Sequence, residues 1–274
     1  MPELPEVETI VQEMRAASLI GLKIKKICVF WKRSIADTDI QSFNKKLIDE
    51  EIVNITRRGK FIIFSLKNGK LLVHLRMTGK FFIDSLEVEN ASHERVRVYL
   101  SDGRILRFED QRKFGKWYLS DSEKLLEKIG VEPLSSDFTL HIFKELLTGK
   151  KSRIKPFLLN QHYIAGIGNI YADEALFLSK IHPARGLHTL NNHEIKELHQ
   201  AIISVLKSGV ANIGTSLGST RANYFSVSGR RGNNQYQLKV FRREGFPCFT
   251  CHALIKKTVL AQRGTHFCPC CQTL

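Results

Sequence analysis

The chain of 274 residues is long enough for one large domain or two of ordinary size, and its 43% hydrophobic content can build real cores. A formal net charge of +15 favours polyanions as partners, with nucleic acid first and anionic membrane second. No apolar run approaches the roughly 18 residues of a membrane span, and no basic region followed by an apolar region opens the chain, so the expectation is a cytoplasmic, nucleoid-associated protein.

Met1-Pro2-Glu3-Leu4-Pro5-Glu6 sets two carboxylates close to a proline that becomes the first residue once the initiator methionine is removed, as is usual before so small a residue. A terminal amine has a pKa of about 8, so a sizeable fraction is unprotonated near neutral pH, and amine nucleophiles form Schiff bases with carbonyl-like carbons. From Pro5 to about Leu19, apolar Val7, Ile10, Val11 and Met14 recur at helical spacing, with proline in the first turn where its missing N–H does no harm. A helix there carries its own N-terminus into the region of chemistry.

The stretch from Leu22 to Trp117 reads as strands: Leu22 to Trp31, Ile52 to Thr56, Phe61 to Leu66, Leu71 to Leu75, Val96 to Leu100 and Ile105 to Phe108. Turn signals at Arg58-Gly59, Asn68-Gly69 and Asp102-Gly103 separate several of them. Many short strands with little helix between them predict an antiparallel sandwich or barrel. Cys28, alone in an apolar stretch, reads as a buried structural thiol.

After about residue 120 the pattern turns helical: Ser122 to Ile129, Leu140 to Leu147, Lys155 to Asn160, Ile170 to Ser179 and Asn192 to about Val210. Pro133, Ser135, Ser136 and Asp137 mark a boundary between Glu132 and Phe138. Residues 214–234 are rich in Gly, Ser, Asn and Arg and too long for a simple connection, which suits a binding loop.

Five of the six cysteines crowd the C-terminus. Cys248-x2-Cys251, sixteen intervening residues and Cys268-x2-Cys271 fit one structural Zn2+ held by four thiolates. Cys270 stands as a spare thiol or a replacement ligand; the spacing of the first knuckle favours Cys271. Between the knuckles, Arg263-Gly264-Thr265-His266 follows Val259-Leu260-Ala261, the pattern of a two-stranded ribbon with a basic tip that can hold a phosphate.

Taken together, the motifs resemble one family, the bacterial formamidopyrimidine-DNA glycosylases, which share a superfamily with endonuclease VIII type enzymes. The resemblance rests on Pro2-Glu3-Leu4-Pro5-Glu6-Val7-Glu8-Thr9, Arg57-Arg58-Gly59-Lys60, His74-Leu75-Arg76-Met77, Arg112-Lys113-Phe114-Gly115, Ile154-Lys155-Pro156, Gly166-Ile167-Gly168-Asn169-Ile170-Tyr171 and Arg263-Gly264-Thr265-His266-Phe267-Cys268-Pro269. It covers nearly the whole chain. It implies an α+β protein with an N-terminal antiparallel β-sandwich and leading helix (2–132), a linker (133–138), a helix-two-turn-helix domain (139–234) whose loop 214–234 binds the lesion, and a zinc finger (240–274).

The same resemblance implies a monomeric enzyme that removes 8-oxoguanine and formamidopyrimidines from duplex DNA and breaks the backbone by β,δ-elimination. Pro2 matches the nucleophile, Glu3 the acid that assists sugar-ring opening, Glu6 a supporting carboxylate, Lys60 the lysine on the phosphate beside the lesion, and Arg263 a phosphate contact that also serves δ-elimination. Met77, Arg112 and Phe114 match the side chains that fill the gap left by the extruded base, and His93, Lys150, Lys155 and Asn169 match further DNA contacts. Arg95 stands where many members carry histidine, Gln111 where proline or valine is common, and the segment Gly214 to Arg221 diverges. Within it and just after it, Thr215, Ser216, Thr220 and Tyr224 are candidates for contacts to a base edge. Two other readings stay open: an endonuclease VIII type enzyme for oxidised pyrimidines, and a catalytically silent DNA-binding zinc-ribbon protein in which Pro2 is dispensable.

Overall fold

The computed structural model describes residues 1–85, 89, 91–119, 122–218 and 224–274. Contacts divide the chain into two units, one of Met1–Lys128 with Asn212–Gln235 and the other of Ile129–Ala211 with Tyr236–Leu274. Among the described residues no helix is long and apolar enough to cross a membrane.

The first unit begins with α1 (Leu4–Ala16), whose apolar stripe of Val7, Ile10, Val11 and Met14 is fully buried. Then come β1 (Ile24–Val29), α2 (Ile40–Leu47), β2 (Ile52–Arg58), β3 (Phe61–Leu66), β4 (Gly69–His74), β5 (Gly79–Asp84), β6 (Glu94–Leu100), β7 (Ile105–Asp110), β8 (Lys116–Tyr118) and α3 (Ser122–Glu127). The strands form two four-stranded sheets, ordered β1-β6-β7-β5 and β2-β3-β4-β8, with every pairing antiparallel. Sequence patterning finds six of these strands. It passes over β5, whose Phe81-Phe82-Ile83 run does not alternate, and β8, which has only three residues. It also passes over α2, a short helix capped by Asp39, which accepts from the Ser42 N–H at 2.9 Å.

Aromatic packing closes the core. The Phe81 ring lies 5.2 Å from Phe108 and 5.8 Å from Trp117, centroid to centroid, and all three are buried. The segment 212–235 belongs to this unit because Tyr224 and Val227 pack into the same core. The family resemblance groups residues 214–234 with the helix-two-turn-helix domain (139–234), whereas contacts group them with the first unit.

The second unit carries α4 (Leu140–Leu147), α5 (Ile154–Leu159), α6 (Asn169–Leu178) and α7 (Asn192–Ala211), then the ribbon β9 (Lys256–Leu260) and β10 (Arg263–Phe267). Between α5 and α6 the Gln161 amide fills the double turn. Its Nε2 donates to the carbonyls of Leu159 (2.9 Å) and Ile167 (2.8 Å), and its Oε1 accepts from Gly166 N–H at 2.9 Å. Gly166 itself has φ +81°, a conformation that costs glycine nothing.

Candidate functional site

The chain's first residues are buried together. Glu3 is 3% and Glu6 1% exposed, and Pro2 is also buried. Glu6 occupies the third position of α1 and accepts from the Glu3 N–H through Oε2 at 2.7 Å, a capping-box contact. Its other oxygen, Oε1, accepts from the Thr215 N–H at 2.7 Å. Two residues further on, Glu8 pairs with Arg57 Nε at 2.9 Å, and Arg57 Nη1 donates to the Gly59 carbonyl at 3.0 Å. That link ties the β2–β3 turn, and Lys60 with it, to the start of the helix. Lys60 is only 6% exposed.

His74, at the end of β4, is buried near Lys60. Burial, with help from the Arg76 and Lys60 cations, pushes its imidazole down to about 3. Nδ1 accepts from the Arg76 N–H at 3.0 Å, which puts the ring proton on Nε2. A neutral donor beside a lysine suits the binding of an anion.

A second cluster in the same unit forms around Asp110, which is 1% exposed. Its Oδ1 accepts from the Thr78 hydroxyl and from the Arg112 N–H (3.2 Å), and its Oδ2 accepts from the Gly115 N–H at 2.6 Å. Thr78 Oγ1 also accepts from Arg112 N–H at 3.1 Å. The two loops bearing Met77 and Arg112-Lys113-Phe114 are thereby held side by side. Phe114 is 48% exposed, with the Arg112 guanidinium 4.8 Å from its ring centre. The edge also includes exposed His93, whose carbonyl accepts from the Asp110 N–H at 2.8 Å, and Arg95 Nε donates to the Asp110 carbonyl at 2.9 Å. The three expected gap-filling side chains and His93 therefore share one edge. Asp110 and Thr78, which hold that edge with Arg95, escape sequence reading because a lone acid or hydroxyl has no spacing signature.

In the second unit Asn169 is the first residue of α6, where the helix dipole favours an anion. Its Nδ2 donates to the Gly264 carbonyl at 2.9 Å. Arg263 is exposed and follows Ala261 (φ 48°) and Gln262 (φ 59°), a two-residue hairpin loop of the type that matches strand twist. Lys150 lies half-buried with its ammonium 4.8 Å from the Tyr163 ring centre.

Lys155 requires a correction. Expected to touch DNA, it is 0% exposed and paired at 2.6 Å with Asp173, also 0% exposed. Its ammonium also donates to Thr265 Oγ1 at 2.8 Å and to the Gly264 carbonyl at 3.1 Å. Asp173 Oδ2 in turn accepts from the His266 N–H at 2.9 Å. Lys155 and Asp173 thus clamp β10 and hold the Arg263 tip; the ammonium does not reach solvent. The neighbouring Glu174, buried and with its carboxyl raised by burial against three stabilising amides, accepts from the N–H groups of Lys239, Val240 and Phe241 at 2.8, 3.0 and 2.8 Å.

The cysteines meet the geometric test for zinc. The Sγ atoms of Cys248, Cys251, Cys268 and Cys271 all lie within 4.8 Å of one another, while Cys270 is exposed and outside the group. Thr250 N–H points at Cys248 Sγ and Cys271 N–H at Cys268 Sγ, both at 3.4 Å. Four thiolates close a tetrahedral sphere and leave no position for substrate, so the one zinc is structural. Cys248 and Cys268 pack with Phe177 of α6, which docks the ribbon on the helices.

The hydroxyls of Thr215 and Ser216 are committed inside the 212–235 segment. Thr215 is 0% exposed and its Oγ1 accepts from Asn234 Nδ2 at 2.9 Å. Ser216, 2% exposed, donates to the Tyr224 carbonyl at 2.7 Å and accepts from the Gly232 N–H at 2.9 Å. Tyr224 is 1% exposed. These three serve the base of the loop; Thr220 lies outside the described residues.

Family models match along the chain: the formamidopyrimidine-DNA glycosylase N-terminal domain over residues 1–117, the formamidopyrimidine-DNA glycosylase H2TH domain over 129–220, and the zinc finger found in FPG and IleRS over 245–274. The formamidopyrimidine-DNA glycosylase of Protochlamydia amoebophila is 43% identical over 274 residues, covering 99% of each chain. A crystal structure of a Lactococcus lactis FPG mutant with a Fapy-dG containing DNA superposes with a TM-score of 0.91 at 37% identity, covering 100% of both chains. A complex of Lactococcus lactis Fpg with an abasic site containing DNA gives 0.89 at 37% identity, covering 99% of this chain and 100% of that one. With three domain models in order and relatives of this identity over the full length, the chain belongs to the formamidopyrimidine-DNA glycosylase family.

Proposed function

We propose that this chain, once Met1 is removed, frees oxidised purines such as 8-oxoguanine and formamidopyrimidines from duplex DNA and then acts as a lyase on the resulting abasic site. The observation that carries the reading is the burial of three ionisable side chains, Glu3, Glu6 and Lys60, at the start of α1 and the turn tied to it. Buried ionisable groups gathered in one place are candidates for a site of chemistry.

The target nucleotide is extruded from the stack, which costs a few kcal/mol and least for a damaged base. Met77 and Phe114 wedge into the gap while Arg112 meets the unpaired partner base. The Pro2 nitrogen attacks C1′, the C1′–N bond breaks, and its electron pair leaves with the base, which takes up a proton. Glu3 delivers a proton to the sugar-ring oxygen as the ring opens, leaving an iminium between C1′ and Pro2. Loss of a C2′ proton then expels the 3′ phosphate, and a second elimination expels the 5′ phosphate. Lys60 and Arg263 offset the charge of these leaving phosphates, and water releases Pro2 from the sugar remnant. With Met1 in place the Pro2 nitrogen is an amide and none of this occurs.

Borohydride trapping on a duplex with one 8-oxoguanine tests the reading. A covalent protein–DNA adduct is expected from the mature chain, and none from Pro2→Gly or from protein with Met1 retained behind a tag. A mature chain that forms no adduct with that lesion or with an abasic site would refute it.

A further inference from the structure

Helix α1 carries a second pair of acids whose geometry concerns a different part of the chain. Glu6 and Glu13 are seven residues, about two helical turns, apart and so share one face of the helix. Each holds one stem of the segment 212–235. Glu6 Oε1 accepts from the Thr215 N–H at 2.7 Å on the way in. On the way out, Glu13 Oε2 accepts from the Ser228 N–H at 3.0 Å, and Oε1 accepts from Ser228 Oγ at 3.1 Å and Arg230 Nη2 at 2.7 Å.

The inner contact is built to close tolerance. Gly214 has φ +78°, and a Cβ there would stand 2.8 Å from Glu6 Cγ, 3.0 Å from Glu6 Oε1 and 3.1 Å from Tyr224 Cε1. Gly232 crosses beneath it so closely that its own Cβ would fall 2.1 Å from the Gly214 carbonyl oxygen. Neither glycine can carry a side chain without shifting the stem against the helix. The other Glu6 oxygen, meanwhile, holds the Glu3 N–H at 2.7 Å. One carboxylate therefore spans the backbone of the proposed acid and the backbone of the segment, and both its oxygens act as acceptors. A glutamine amide could satisfy only one of the two N–H groups.

We infer that Glu6 and Glu13 are positioning residues that lock segment 212–235 onto α1, so that the seating of the segment sets the position of Glu3 for base release. The inference rests on the proposed function and adds a dependence of one chemical step on a remote stem. Base release requires proton delivery by Glu3 as the sugar ring opens. A preformed abasic sugar exists partly as the open aldehyde, which condenses with the Pro2 amine, loses water, and proceeds to elimination with no base to expel. The first reaction depends on the placement of Glu3 and the second far less.

The test uses Gly214→Ala and Glu13→Gln, neither of which touches the reacting groups, in single-turnover assays on one duplex with 8-oxoguanine and one with a natural abasic site. Misplacement of a catalytic group by a fraction of an ångström to an ångström costs up to about a hundredfold. Gly214→Ala is expected to slow base release at least about tenfold and Glu13→Gln about threefold, with abasic-site cleavage within about twofold of wild type in Glu13→Gln. Thermal melts confirm that each variant is folded. Unchanged base release in folded Gly214→Ala, or an equal loss of both reactions in folded Glu13→Gln, overturns the inference. Should Gly214→Ala not fold, unchanged base release in Glu13→Gln overturns it alone. A wild-type chain inactive on both duplexes refutes the proposed function instead, a result distinct from either.

Discussion

Replacing Lys155 with Met separates a clamp from a DNA contact. Met keeps most of the apolar stem and removes the ammonium, leaving Asp173, itself 0% exposed, as a buried carboxylate without its 2.6 Å partner. Breaking one side of such a pair costs about 3–5 kcal/mol. The Gly264 carbonyl and Thr265 hydroxyl, at 3.1 and 2.8 Å, lose a donor as well, so the upper half of that range is expected. For a unit of this size each kcal/mol lowers Tm by roughly 3–4 °C, which predicts a fall of about 10–20 °C by calorimetry or circular dichroism. Adding Asp173→Asn removes the stranded charge and should return a large part of the loss. Below the melting transition, the slope of log K for DNA against log salt should match that of wild type, because a side chain with no solvent exposure releases no counterion from DNA. A normal Tm combined with a slope reduced by about one charge would refute the clamp and restore Lys155 as a phosphate contact.

Arg263→Ala provides the contrasting case: the side chain is exposed and proposed to meet a phosphate, so binding should weaken with the salt slope flattened by about 0.9, while Tm stays within about 2 °C. His74 predicts a pH dependence. Its folded value of about 3 lies below the ordinary 6.5, so the unfolded chain binds a proton that the folded chain refuses, and stability is full above pH 6.5 and falls as pH drops toward 3. At pH 5 the loss is about 2 kcal/mol, and urea melts of His74→Gln at pH 7 and pH 5 should show that much less pH dependence than wild type; equal dependence would refute the assignment. Freshly purified protein should carry one zinc per chain by elemental analysis, retained in Cys270→Ser and depleted in Cys271→Ser, since the Cys271 Sγ belongs to the four-sulfur cluster and Cys270 lies outside it.

Much of this was legible in sequence wherever side chains repeat at a structural period. The stripe on α1, six of the eight strands of the sandwich and the spacing of the four cysteines each announce themselves. So does the N-terminal group of Pro2, Glu3 and Glu6, because carboxylates beside a terminal proline need no tertiary information to be noticed; Lys60 is picked out only by the family resemblance, since a lysine on a turn otherwise reads as solvated. What stayed hidden depends on burial. Lys155 and Arg263 are both cations in motif positions, and nothing in their types says that one is enclosed and the other exposed. The 212–235 segment reads as polar loop, yet Tyr224 and Val227 anchor it in the sandwich core, a long-range contact that no local window contains. Asp110, Asp173 and Glu174 carry no spacing signature because each binds backbone N–H groups, which every residue has.

Those hidden acids share a logic that follows from the charge of the chain. With 42 basic and 27 acidic side chains, a polyanion-binding surface gains nothing from carboxylates displayed beside it, because each would repel phosphate at the range where screening is weakest. Several acids are buried and used as multi-point acceptors instead. Asp110, 1% exposed, shapes the turn that presents Arg112 and Phe114; Asp173, 0% exposed, fixes the strand that presents Arg263; Glu6, 1% exposed, joins the start of α1 to segment 212–235. A carboxylate can take several backbone N–H bonds at once, and such charge-assisted bonds are about twice as strong as neutral ones. Each acid thus sets the position of a functional loop while its own charge is compensated within the protein. An amide substitution at Asp110 or Glu6 exchanges one acceptor for a donor without breaking a buried ion pair such as that of Asp173, so it should disturb the loop it organises more than the global fold. Asp110→Asn, which faces the Gly115 N–H at 2.6 Å with one oxygen and the Thr78 hydroxyl and Arg112 N–H with the other, tests the idea most directly. DNA affinity should fall about tenfold, the equivalent of about 1.4 kcal/mol, while Tm drops by no more than about 5 °C. A loss of Tm without loss of affinity would mean that Asp110 supports the sandwich and has no part in presenting Arg112 and Phe114.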